Sequence, residues 1–116
     1  MTLPLTVDVL RAAYDFLNET APFARWHLPA GEEVKFRVVR DRANQGWCTY
    51  DGKRFEICVS SNLTGYTRNL IEVMAHEMVH IHDHHSGAYK GTEHSAAFKK
   101  WAAEVCKIHG FDPKYF

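Results

Sequence analysis

A chain of 116 residues with 14 Lys and Arg, 14 Asp and Glu, and a formal net charge of zero fits one compact domain, 1–116, with a core of its own. The balanced charge argues against a polyanion binder working through bulk electrostatics, so there is no strong nucleic-acid signal. The three cysteines, Cys48, Cys58 and Cys106, are odd in number and form no C-x-x-C pair, which argues against a disulfide framework or a four-cysteine zinc site and for free, buried thiols.

At the N-terminus, Met1 to Leu10 lacks a basic stretch followed by a long apolar run, so no secretory signal is read there. No stretch approaches the roughly 18 apolar residues of a membrane span. A soluble, cytoplasmic protein is the expectation.

The first element, about Thr6 to Glu19, has helical periodicity: Val7, Leu10, Tyr14 and Leu17 recur at steps of three and four, with Thr6 or Asp8 as cap. Pro22 and Pro29 bracket a connection in which Trp26 is expected to pack. Val34 to Arg40 alternates as a strand with Val34, Phe36 and Val38 on one face. A polar turn ending in Gly46 leads to a short strand, Trp47 to Tyr50. Asp51-Gly52 is a hairpin signal, and Arg54 to Ser60 forms the third strand, with Phe55, Ile57 and Val59 on one face. From about Thr67 to His82 good helix formers dominate, with no Gly or Pro. After a loop with Gly87 and Gly91, a last helix runs from Thr92 or Glu93 to His109, with Ala97, Phe98, Trp101, Ala102 and Val105 on its apolar face and Gly110 as cap. The fold class is α+β: an N-terminal helix, a small three-stranded sheet, mixed or antiparallel, an active-site helix and a C-terminal helix.

Six of the eight histidines fall between positions 76 and 94. Within the second helix lies His76-Glu77-Met78-Val79-His80, an H-E-x-x-H pattern. Residues four apart lie one turn above each other, so both imidazoles face the same way and can hold one zinc at roughly 2.0–2.1 Å. Glu77, about 100° around the helix from His76, can lean over the metal without ligating it and take a proton from a water bound there. Ile71, Met74, Ala75, Met78, Val79 and Ile81 fall on the opposite side and anchor the helix in the core.

A catalytic zinc takes three protein ligands and keeps a position for water. The candidates for the third are His82, His84, His85, Glu93 and His94. His82 points about 240° away from His76, His84 lies a further turn along, and His85 stands at the frayed helix end; all three are expected in solvent. His94 follows a Gly-bearing loop that can turn the chain back toward the metal, with Glu93 as its neighbouring rival.

The run His76-Glu-Met-Val-His80, the Gly-bearing loop and His94-Ser-Ala-Ala-Phe98-Lys-Lys-Trp101 resemble the SprT-like (Spartan-type) metallopeptidase domain, a pattern shared by small phage-type metallopeptidases. The resemblance covers roughly Phe55 to Trp101. It implies a zincin-like fold, Zn2+ as cofactor, His76, His80 and His94 as ligands, Glu77 as the catalytic base, and a peptide or protein substrate paired along the edge of Arg54 to Ser60. Tyr66 and Tyr89 are candidates for stabilising the reaction intermediate. The chain departs from many family members in having no cysteine pairs for a zinc ribbon and no basic tail. A second function class fits the same ligands: a zinc-stabilised structural or interaction module without turnover, marked by a fourth protein ligand.

Overall fold

The computed structural model describes residues 5–61, 67–85, 94–114 and 116, the side chains of 67 and 68 excepted. The expected loop Ser86 to Gly91, the helix start at Thr92 or Glu93, and the candidates Tyr66, Tyr89 and Glu93 lie outside these residues.

Helix α1 spans Val7–Asn18, and Thr6 caps it by accepting the Val9 N–H at 3.2 Å. Leu10, Ala13, Tyr14 and Leu17 form its buried stripe. Val7, expected on that stripe, is exposed: it is the first helical residue, and Ala13 takes its place in the core. The Tyr14 hydroxyl donates to the Pro29 carbonyl at 2.6 Å, and its ring meets Phe36 edge-on at 5.5 Å. One buried phenol thus ties the helix to both the connection and the sheet, and burial pushes its pKa up.

Strands β1 (Lys35–Val39), β2 (Gly46–Tyr50) and β3 (Phe55–Ser60) form a mixed sheet in the order β1-β3-β2. β1 runs parallel to β3 with Phe36 opposite Ile57, and β2 runs antiparallel with Cys48 opposite Ile57. The hairpin joining β2 to β3 turns as its residues dictate. The Asp51 carboxylate accepts the Lys53 and Arg54 N–H groups, both at 2.8 Å, and Gly52 takes φ +98°, a left-handed conformation that suits glycine.

This order corrects one expectation. The third strand is central, flanked on both sides, and has no edge to offer a peptide. The physical sign is burial on both faces: Cys58 and Ser60 are as buried as Ile57 and Val59. The edge strand that packs against the second long helix is β2.

Helix α2 spans Thr67–His85, three residues beyond the expected end; Asp83, His84 and His85 offer no break. Helix α3 spans Ala96–His109. Its start is later than expected because Ser95 is the cap, accepting the Phe98 N–H at 3.0 Å, and it ends at Gly110 in the left-handed conformation, φ +78°. Met74, Ala75, Met78, Val79 and Ile81 of α2 are fully buried among α1, the sheet and α3. Each of the larger ones contributes roughly 1.5–3 kcal/mol by leaving water, so α2 is fixed by the core rather than by its own helix propensity. Ile71 is only partly buried at the margin of that face. All three cysteines are free; Cys58 and Cys106 are buried and Cys48 is partly so. Among the described residues no helix is long and apolar enough to cross a membrane.

Candidate metal centre

The buried side of α2 leaves the opposite stripe, His76 and His80, facing the N-terminus of α3. The final helix turns back so that His94, the residue before its cap, closes a triangle: ring centroids are 5.0 Å apart for His76 and His80, 5.1 Å for His76 and His94, and 5.2 Å for His80 and His94. One nitrogen from each ring lies within 4.8 Å of the others. Three imidazoles with a carboxylate alongside form the donor set of a zinc site that keeps a position open. The chemistry of these residues therefore fits a zinc ion.

Phe98 explains how the triangle is held. Its buried ring stacks on His94 at 4.4 Å with planes 4° apart, lies 4.4 Å from His80, and meets His76 at 5.2 Å. One apolar surface thus backs all three donors. Phe98 lies in the first turn of α3, three residues after the Ser95 cap, where its ring reaches back to the histidine that precedes the helix.

Burial, then the neighbouring His94 ring, pushes the pKa of His80 from its ordinary 6.5 down to about 4. His80 is therefore a neutral donor at physiological pH, the form a metal needs. The sign for stability follows. The unfolded chain takes up a proton on His80 as pH falls below about 6.5, and the folded chain resists until about 4. Stability is thus unaffected by this group above pH 6.5 and declines between 6.5 and 4. In urea titrations of metal-free protein, the unfolding midpoint should fall over that window, and less steeply in His80→Asn. Parallel profiles for the two proteins would exclude His80 as the source.

Glu77 is buried, only 3% exposed. A cavity of about 450 Å³ opens beside it and His76, with Gly46, Asn69, Val73 and Phe116 among its walls. Gly46 is required there. A Cβ on it would lie 2.7 Å from the Cys58 carbonyl and 3.0 Å from the Val73 side chain, and 3.7 Å from a Glu77 carboxylate oxygen. β2 can therefore approach the Glu77 side of α2 only through a glycine. Further along β2, Cys48, Thr49 and Tyr50 share a second depression with His80 and His84. Burial, then the Glu77 charge, raises the Cys48 thiol pKa and keeps it protonated.

Among the described residues His82, His84 and His85 do not join the triangle. His82, expected in solvent, is instead stacked on Trp26 at 4.0 Å with planes 4° apart and packed on Trp101 at 4.2 Å; burial lowers its pKa. His84, also expected in solvent, contacts the rings of Tyr50 and Phe55 at 4.8 and 5.5 Å while remaining exposed overall. The connection after α1 and the β2–β3 hairpin cover these two positions, contacts that a single-helix projection does not contain. His85 is exposed as expected.

One residue of the site has no place in the sequence reading. Asp83, seven positions after His76 and hence about 20° from it around the helix, extends the histidine stripe by a turn. It is 1% exposed and accepts the Ser95 hydroxyl at 3.2 Å on both carboxylate oxygens. The extended spacing H-E-x-x-H-x-x-D is the signal that marks it.

A comparison with curated proteins finds no match. The model of the SprT-like family matches residues 10–115, and with α+β architecture, the three-histidine triangle and a match over nearly its whole length, the chain belongs to the SprT-like family.

Proposed function

We propose that the protein is a zinc-dependent metallopeptidase that hydrolyses peptide bonds. The observation that carries this reading is the triangle of His76, His80 and His94, donor atoms within 4.8 Å, with the buried Glu77 beside a cavity of about 450 Å³. His76, His80 and His94 are the residues that would hold the ion. Zinc held there would supply a Lewis acid for the scissile carbonyl and for the attacking water. Glu77 takes the proton of that water and passes it to the departing amine. Among the described residues β2 is an edge strand with no partner on its outer side, so an extended stretch of the substrate pairs with it as an added strand.

The alternative, a structural zinc module, calls for four protein ligands and a closed site. Among the described residues three donors converge, and one of them, His76, lines the cavity beside Glu77, which favours catalysis. Purified protein loaded with zinc should carry about one ion per chain and cleave an unfolded protein substrate, and a chelator should stop the cleavage until zinc is restored. One tightly held zinc with no cleavage of any unfolded or peptide substrate would favour the structural module.

A further inference from the structure

His94 has a positional problem that His76 and His80 do not. The first two are set by the buried helix α2, whereas His94 precedes the cap of α3 and is exposed, outside the hydrogen-bonded turns of that helix. Phe98 constrains the ring by stacking, and something must fix the backbone from which that ring projects.

The next residue, Ser95, makes three contacts that do so. Its side-chain oxygen accepts the Phe98 N–H at 3.0 Å, its carbonyl accepts the Lys99 N–H at 3.0 Å, and its hydroxyl donates across the interface to both oxygens of Asp83. Asp83 is placed against the preferences of its own helix. A carboxylate in the last turn of α2 faces the negative end of that helix dipole, and burial of a charged group is unfavourable unless it is paired. It does face the N-terminus of α3, whose dipole and capping hydroxyl favour an acid. The carboxylate is thus better served by α3 than by α2, and it lies on the stripe that carries His76 and His80.

We propose that Asp83 and Ser95 form a clamp that positions His94 as the third metal ligand: Asp83 sets where α3 begins relative to the two histidines of α2, and Ser95 transmits that position to the adjacent residue. Neither touches the ion; both are positioning residues. The inference rests on the metal site proposed above.

The test is zinc affinity, measured by competition with a chromophoric chelator, for wild type, Ser95→Ala, Ser95→Thr and Asp83→Ala, and for Ser95→Ala in a His94→Ala background. Residues that orient a metal ligand typically change affinity by about 10- to 100-fold, and a loss in that range is expected for Ser95→Ala and Asp83→Ala. Ser95→Thr, which keeps the hydroxyl, should bind close to wild type. With His94 already removed, Ser95→Ala should change the remaining affinity by less than about twofold, because the clamp acts through His94. Wild-type affinity in Ser95→Ala overturns the proposal. So does an equal loss from Ser95→Ala with and without His94, since general loosening of the fold produces that pattern. The Ser95 variants decide the matter even if Asp83→Ala fails to fold. Failure of the wild-type protein to take up zinc is a separate outcome: it removes the metal site itself, and the clamp with it.

Discussion

Glu77→Gln is expected to retain zinc while losing peptide hydrolysis by about 100- to 10,000-fold, the usual contribution of a positioned general base. The substitution keeps the shape of a side chain that is 3% exposed, so packing against α2's neighbours and the wall near Gly46 is preserved. It removes the group that accepts the proton. Zinc content and hydrolysis of an unfolded protein should be measured on the same preparation. Loss of activity with zinc in place isolates Glu77 as the base. Hydrolysis persisting at the wild-type rate would remove Glu77 from the mechanism and leave the three histidines as a metal site without an assigned base.

His94→Ala should have the largest effect on the metal. Removing one of three donors is expected to weaken zinc by more than about 100-fold, beyond the range seen when only an orienting neighbour is lost. Stability offers an independent readout. A ligand at 100 times its dissociation constant stabilises the folded state by about 2.7 kcal/mol, so the wild-type unfolding transition should shift upward with zinc. At the same free zinc the variant should shift little. The variant's metal-free stability should stay near that of wild type, because His94 is exposed and the Ser95 cap remains. Undiminished zinc binding in the variant would transfer the third position to another donor, with Glu93 the first to substitute.

The two expectations differ in how much the sequence contributed to them. His76, Glu77 and His80 were legible because they share one helix. Side-chain direction within a helix follows from a fixed rotation per residue, so the H-E-x-x-H spacing already states that two imidazoles face one way and that the acid stands beside them. The elements were legible for a similar reason. Thr6, the Asp51-Gly52 pair and Gly110 act on backbone within a few residues of themselves, and each punctuates the chain where its local chemistry says. His94 was reached only by joining a loop signal to a family resemblance.

What the tertiary structure decided involves groups that the sequence separates. The order β1-β3-β2 placed the third strand at the centre and the second at an edge, because pairing partners are chosen by the packing of the whole sheet. His82 left solvent for the rings of Trp26 and Trp101, and His84, still exposed, gained contacts with Tyr50 and Phe55, partners that no projection of α2 alone contains. The clamp from Asp83 to Ser95 joins two helices across twelve positions. The sequence by itself determined that His76 and His80 share one side of a helix with Glu77 beside them, since side-chain direction is local to one helix. Where the third donor stands, what backs it and which strand borders the site were set only when the helices packed, because burial and interhelical hydrogen bonds exist only between elements already brought together.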